Sequence, residues 1–321
     1  MQQEMQINNS IVERFSMLNK KERLAHAYLF IGPSNIGKGE TALAIAKLIN
    51  CEQSGAKAYC DICSACIKIN SGNHPDVMII DHEYGEAIKI EQIRELLNQS
   101  KLRPFLAEKK VFIINNIENM TLEAANAFLK TLEEPTASSL LLLTTSVPEK
   151  NLDTVKSRCH AIYFQSVSSN DLVKQLRENY HMEEKESHFI AYFSQGCLGM
   201  AKKLNANQFV NKKNELINTF ILNRPEEVTI KKIIAEREET KEFLDVLSSW
   251  MRDCLLAKVG VEDERLIHLD RISDLKQFVA RHTFEELNAL NQSIIKMHQL
   301  LADHLNIKLP LLIIGEQLWE K

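Results

Sequence analysis

The sequence predicts an α/β protein: a parallel sheet built around a phosphate loop and interrupted by a four-cysteine insertion, with two all-helical segments after it. Three observations carry that prediction. Residues 27–50 read as an apolar strand, a glycine-rich turn and an Ala/Leu/Ile-rich helix. Four further apolar runs without polar alternation occur before residue 165, with helical patterns between them. After Gln165, strand-like runs cease. Apolar strands that do not alternate are buried on both faces, which requires a parallel sheet with helices on either side.

Taken in order, residues 1–25 read as a polar, weakly periodic helix carrying Ile11, Phe15 and Leu18. Residues 27–31 form the first strand and 38–50 the first long helix. The segment from Cys51 to about His74 is small and polar, and it reads as too irregular for a core element. Residues 77–81 are a second strand. Apolar positions 90, 93, 96 and 97 have helical spacing within 88–97. Residues 111–114 are a third strand. A helix over 121–132 follows, with Thr121 as its N-cap and Pro135 just past its end. Residues 140–145 and 161–164 are the fourth and fifth strands. Short helices are expected over 170–180, 184–193 and 200–204, with Gly196 and Gly199 punctuating a turn. Longer amphipathic helices fill the rest, broken near Pro225, Gly260 and Pro310. Domain boundaries are placed to give 1–165, 166–207 and 208–321.

Composition narrows the function classes. The chain has 321 residues, 45% of them hydrophobic and 26% charged, as in soluble globular proteins. No stretch approaches the roughly 20 apolar residues of a membrane span, and residues 1–15 lack the pattern of a secretory leader. A cytoplasmic protein is expected. The net charge of −4 argues against autonomous DNA binding, which needs a basic face. The basic pairs Lys202-Lys203, Lys212-Lys213 and Lys231-Lys232 read as solvated helix faces. Seven cysteines in such a chain favour metal ligation or burial over disulfides.

Gly32-Pro33-Ser34-Asn35-Ile36-Gly37-Lys38 fits a loop whose backbone N–H groups and lysine hold phosphate oxygens at a helix N-terminus. The full pattern ends in Ser or Thr, whose hydroxyl holds magnesium. Here that position is Gly39. Nucleotide hydrolases also end a later strand in an acidic pair, which holds the metal and orients the attacking water. The third strand ends instead in Asn115-Asn116, and Glu118 lies two residues too far along. Metal ligands and base are removed together, so no ATP hydrolysis and no bound Mg2+ are expected. A turn that binds nothing is the plain alternative.

Cys51, Cys60, Cys63 and Cys66 have the spacing C-x(8)-C-x(2)-C-x(2)-C. Four thiolates so spaced can close a tetrahedral structural zinc site, supplying folding energy that a short insertion lacks in apolar core. Ordinary buried thiols are the alternative, and His74 could replace one ligand. A redox pair fits less well, because the two overlapping C-x-x-C pairs do not follow a sheet strand. Cys159, Cys197 and Cys254 are isolated and read as structural. Ser157-Arg158-Cys159 precedes the fifth strand. Its guanidinium suits a phosphate, as an arginine finger at a neighbour's site, or an internal salt bridge.

As a set, several motifs resemble the delta-prime family of bacterial DNA polymerase III clamp-loader subunits. They are Leu24-x-His26-Ala27-Tyr28-Leu29-Phe30-x-Gly32-Pro33, the four cysteines, His74-Pro75-Asp76, the run Ala124-Ala125-Asn126-Ala127-Phe128-Leu129-Lys130-Thr131-Leu132-Glu133-Glu134-Pro135, and Ser157-Arg158-Cys159. They cover about residues 24–165; beyond that, the likeness is the order of parts, a helical lid and then a helical collar. The resemblance implies an AAA+ protein in a pentameric ring. ATP held by the gamma/tau subunits of that ring opens the sliding clamp, which is placed on primed DNA. It implies gamma/tau and delta subunits as partners. It also implies a rigid, non-hydrolysing role for this chain, with Arg158 reaching the ATP of the adjacent subunit. Active members carry a lid arginine in a G-S-x-R turn; the matching stretch here is Gly196-Cys197-Leu198-Gly199. Gly32, Gly37 and Lys38 are kept, so occupancy of the loop by ATP or ADP stays open. The rivals are a self-sufficient gamma/tau-like ATPase motor, which positions 39, 115 and 116 oppose, and a zinc-containing DNA-binding protein, which the acidic charge opposes.

Overall fold

The computed structural model describes residues 8–53, 58–81, 87–136, 138–150, 153–223, 230, 233, 234, 236–303, 305 and 307–319. They form two compact units: residues 1–166 with 197–200, and residues 167–196 with 201–321.

The first unit is built on five parallel strands, β1 (Ala27–Ile31), β2 (Val77–Ile80), β3 (Lys110–Ile114), β4 (Ser139–Thr145) and β5 (His160–Tyr163), in the spatial order β2-β3-β4-β1-β5. The α/β sheet expected from the apolar runs is therefore present. β3 and β4 are buried along their whole length, as strands covered on both faces must be. Successive side chains divide between the two faces. Tyr28, Phe30, Val111 and Ile113 enter one apolar cluster with Phe15 and Ile45, while Leu29, Phe112 and Ile114 enter another with Ile80 and Phe128. Ile31 is level with Thr145 of β4 and with Tyr163 of β5. Three carboxyl strand ends thus finish side by side where the chain turns into the glycine-rich loop, the usual place for a ligand in such sheets.

Helices α1 (Asn9–Lys20), α2 (Lys38–Asn50), α3 (Ser64–Asn70), α4 (Ile90–Ser100), α5 (Leu122–Glu133) and α6 (Asp153–Lys156) complete this unit. Thr121 caps α5 as expected, its Oγ1 accepting from Ala124 N at 3.2 Å. Helix α3 corrects the reading of the insertion as irregular. Its cap is the thiol of Cys63, which accepts from Cys66 N at 3.4 Å. Ala65, Cys66 and Ile69 face inward on it.

His74-Pro75-Asp76 leads into β2. The Asp76 carboxylate is 2% exposed and accepts from the backbone N–H groups of Phe105, Leu106 and Ala107 at 2.7–2.9 Å. Burial raises its pKa, but the three donors and Lys110 outweigh that and hold it below the usual carboxylate range. Asp76→Ala would leave three donors of a buried turn unpaired. It is expected to cost about 3 kcal/mol in urea unfolding. Because the folded pKa is depressed, this stability is present above the unfolded value of about 3.9 and is lost as pH falls through the folded one. The Ala variant should lack that acid-side slope.

The second unit is entirely helical among the described residues: α7 (Ser169–Tyr180), α8 (Glu184–Ser194), α9 (Leu198–Ala206, whose first residues belong to the first unit), α10 (Phe209–Leu216), and then Arg237–Lys258, Ile272–Arg281, Phe284–Ala302 and Lys308–Trp319. Trp250, Phe220, Phe243, Leu247 and Met251 centre its core. The break near Gly260 is present, with φ +82° just past the helix ending at Lys258. The break near Pro310 is present too, between the helix ending at Ala302 and the one starting at Lys308. Pro310 itself lies in the first turn of Lys308–Trp319, where its missing N–H costs nothing. Gly199 sits inside α9 and not in the preceding turn. Pro225 lies outside the described residues, as do Lys231 and Lys232. Lys213 is also not on a solvated face: it is 1% exposed, ion-paired with Asp270, and its ammonium lies 4.6 Å from the Phe189 ring centroid.

Candidate functional site

At the end of β1 the backbone turns sharply. Gly32 N donates to Thr145 O at 3.3 Å, and Phe164 N donates to Ile31 O at 2.7 Å. A Cβ on Gly32 would meet the Phe164 carbonyl oxygen at 2.6 Å, so only glycine fits there. Gly37, at φ +93°, is the left-handed N-cap of α2, a conformation that costs glycine little. The loop thus has glycine at the two positions where its backbone requires it.

Its lysine, however, is occupied. Lys38 is 6% exposed, and its Nζ donates to Gly32 O at 2.7 Å, Pro33 O at 2.8 Å and Ser146 Oγ at 3.0 Å. All three ammonium hydrogens have acceptors within the protein. Burial lowers its pKa to about 8, opposed by the nearby Glu118 charge. Glu118, set aside on the sequence as misplaced, turns back on a single 3-10 turn, and its Oε1 accepts from Ser146 N at 2.9 Å. Ser146 thus joins lysine to carboxylate. Nothing in the spacing from Lys38 to Ser146 signals this, because the two meet only through the pairing of β1 with β4.

The three positions read as lost metal and base groups are not scattered. A Cβ on Gly39 would lie 3.3 Å from Asn115 Oδ1 and 3.4 Å from its Nδ2. That amide is engaged on both sides, donating from Nδ2 to Asp81 Oδ2 at 3.1 Å and accepting from Thr144 Oγ1 at 3.3 Å. Asn116 takes a left-handed conformation, φ +53°, which asparagine tolerates. Its N–H donates to Thr144 Oγ1 at 3.0 Å. The nearest hydroxyl on α2, Thr41, is fully buried and bonds back to Gly37 O at 2.6 Å. A neutral amide, paired with the Asp81 carboxylate, therefore stands beside Gly39. The stretch Cys197 to Met200 belongs to this unit: Cys197 joins the apolar cluster of Ile36 and Phe164, and Asn35 Nδ2 donates to Met200 Sδ at 3.6 Å.

The Sγ atoms of Cys51, Cys60, Cys63 and Cys66 all lie within 4.8 Å of one another. Sulfurs 2.3 Å from one tetrahedral metal would be about 3.8 Å apart, so the cluster has the size of a four-thiolate site. Cys63 N donates to Cys60 Sγ at 3.3 Å. Backbone hydrogen bonds lower the Cys60 pKa to about 7, whereas burial raises that of Cys66 to about 12. These donor atoms fit a soft, thiophilic dication such as zinc. His74 is not among them; its Nδ1 accepts from Asp76 N at 3.1 Å. One partner of the module was missed on the sequence. Lys47 of α2, 3% exposed, pairs with Asp61 at 2.6 Å and lies 4.9 Å from the Tyr59 ring centroid. A lone charge in the otherwise apolar run 42–49 of that helix was the available signal.

Arg158 follows α6 and precedes the edge strand β5. Its Nη1 donates to Thr154 O at 2.9 Å and Ser157 Oγ at 3.2 Å, and its Nη2 to Glu133 Oε1 at 2.8 Å. The internal ion pair weighed on the sequence is thus present, and the side chain remains 34% exposed.

The sequence model of the family described as DNA polymerase III, delta subunit matches residues 7–168, and that of its C-terminal part matches residues 207–318. The chain belongs to the DNA polymerase III delta-subunit family. Relatives within reach include subunit delta-prime of Bacillus subtilis, 29% identical over 297 residues, covering 90% of this chain and 89% of that protein. Subunit delta-prime of Pseudomonas aeruginosa is 38% identical over 146 residues, 45% of this chain and 44% of that one. Subunit tau of Bacillus subtilis is 34% identical over 194 residues, 59% of this chain but only 34% of the relative. Among solved structures, a gamma subunit-related protein of Thermotoga maritima aligns with TM-score 0.48 and 22% identity over 96% of this chain and 98% of that chain. No helix among the described residues is long and apolar enough to cross a membrane.

Proposed function

We propose that this chain is the non-hydrolysing delta-prime-type subunit of a DNA polymerase III clamp loader. It works beside gamma/tau and delta subunits in ATP-dependent loading of the sliding clamp onto primed DNA. The observation that carries this reading is the Asn115 amide beside Gly39. A neutral group with its own partners fills the space beside Gly39, and Lys38 is saturated by Gly32 and Pro33 of its own loop and by Ser146 after β4. Similarity to delta-prime over 90% of the chain supports the same reading.

Within it, residues 1–165 serve as the AAA+ domain, 166–207 as a lid and 208–321 as the collar that joins the ring. Arg158 acts in trans, its guanidinium meeting phosphate charge that develops on ATP held by the adjacent gamma/tau subunit. Cys51, Cys60, Cys63 and Cys66 hold a structural Zn2+, which supplies cross-linking of the insertion and no chemistry. Gly32, Gly37 and Lys38 keep the cradle shape without taking Mg-ATP. The test compares the purified chain with the reconstituted complex. The chain alone is expected to release no phosphate from Mg-ATP above background, while loading by the complex requires it. Brisk turnover by the isolated chain would replace this reading with that of a gamma/tau-like motor.

A further inference from the structure

Glu133 is the last residue of α5. A carboxylate there faces the negative end of the helix, which local electrostatics disfavour. Its partner explains its position: Arg158, 25 residues further along the chain, donates from Nη2 to its Oε1 at 2.8 Å. With Nη1 bound to Thr154 O and Ser157 Oγ, the guanidinium is tied by three bonds. A guanidinium has five N–H donors. The Nε–H and the second Nη2 hydrogen therefore have no acceptor among the described residues. Nε–H and Nη2–H are the pair with which arginine grips a phosphate side-on through two parallel bonds.

We propose that Glu133 is a positioning residue for Arg158, its carboxylate fixing the guanidinium so that the Nε/Nη2 side stays open to a phosphate oxygen of an adjoining subunit. This rests on the reading of Arg158 as a finger acting in trans. The two side chains are 51% and 34% exposed, and such a surface pair adds little to folding. Its effect lies in orientation. Arginine has a long, freely rotating stem, and a misplacement of about 1 Å at a reacting group can cost about 10²-fold in rate.

In the loader assembled with its ATP-hydrolysing subunits, Glu133→Ala is expected to lower kcat for ATP about tenfold, within that limit. KM should be unchanged, since the neighbour's own loop binds the nucleotide. Glu133→Gln keeps an acceptor oxygen for Nη2 and should stay within about threefold of the parent, because the ionised guanidinium still strengthens that bond. In an Arg158→Ala background, Glu133→Ala should have no further effect, because a residue acting only through Arg158 has nothing left to position. Size-exclusion chromatography checks that each loader assembles. Parent-level turnover in Glu133→Ala, with a fall in Arg158→Ala, overturns the positioning role and leaves the finger reading standing. So does a loss that persists in the Arg158→Ala background. Unchanged turnover in Arg158→Ala overturns both.

Discussion

Arg158→Ala in the assembled clamp loader is expected to lower clamp- and DNA-stimulated ATP turnover by at least about tenfold, given that a finger arginine contributes about 10³–10⁵ in related GTPases. The lower bound allows for loaders in which several ATP sites turn over and only one adjoins this subunit. The effect should be on kcat. In the proposed role the guanidinium meets charge that grows as the bond to the γ-phosphate breaks, and interactions made only in the transition state raise kcat without tightening ground-state binding. Arg158→Lys should recover little, since an ammonium cannot reproduce the planar fork. Assembly should survive, because the three bonds lost all lie within residues 133–158 of the first unit. Steady-state phosphate release at saturating ATP is the measurement, with ring assembly scored alongside. Full turnover in an intact ring would remove the proposed role.

The second large effect concerns the cysteine cluster. The purified chain should carry about one zinc, and chelation or Cys60→Ser should unfold residues 51–74 while the sheet stays folded. The apolar core of this insertion is Cys63, Ala65 and Cys66, with Cys51, Tyr59 and Cys60 packed against them. Helix α3 has seven residues, and helices shorter than about 12–15 residues are marginal on their own. A structural zinc contributes about 10–16 kcal/mol of apparent binding energy, and where the apo form is unfolded that energy drives folding. Losing the module also separates Asp61 from Lys47, leaving a nearly buried ammonium without its carboxylate. The cost should therefore reach α2. Elemental analysis, limited proteolysis within 51–74 and the Tm with and without chelator read this out. A metal-free chain with parent Tm and parent protease resistance would refute it.

How far the sequence foretold these features depends on whether the cause is local. The five strands were legible because each contains an unbroken apolar run, and the Thr121 cap because hydroxyl, spacing and terminal proline all sit within one stretch. The cysteines were legible by spacing alone. Helix α3 was not, since a thiol caps it and thiols are not read as caps. The break near Pro310 was legible, although the proline itself lies in the first turn of the following helix. Lys213 looked like half of a solvated pair, and only the approach of Asp270 shows why it is buried. The links from Lys38 to Ser146, from Asn115 to Gly39 and from Arg158 to Glu133 join residues 25 to 108 positions apart. Composition and periodicity carry no record of them. The absence of carboxylates at 115 and 116 was visible on the page, but the amide filling the space beside Gly39 was not.

A phosphate loop in a working motor is restless: it tightens around its guest and slackens after release. Here Gly32, Pro33 and Ser146 give Lys38 every acceptor it needs, so the cradle stays furnished from within. Its lysine is then held in place without any guest, and an incoming phosphate oxygen would have to displace one of these three acceptors to reach it.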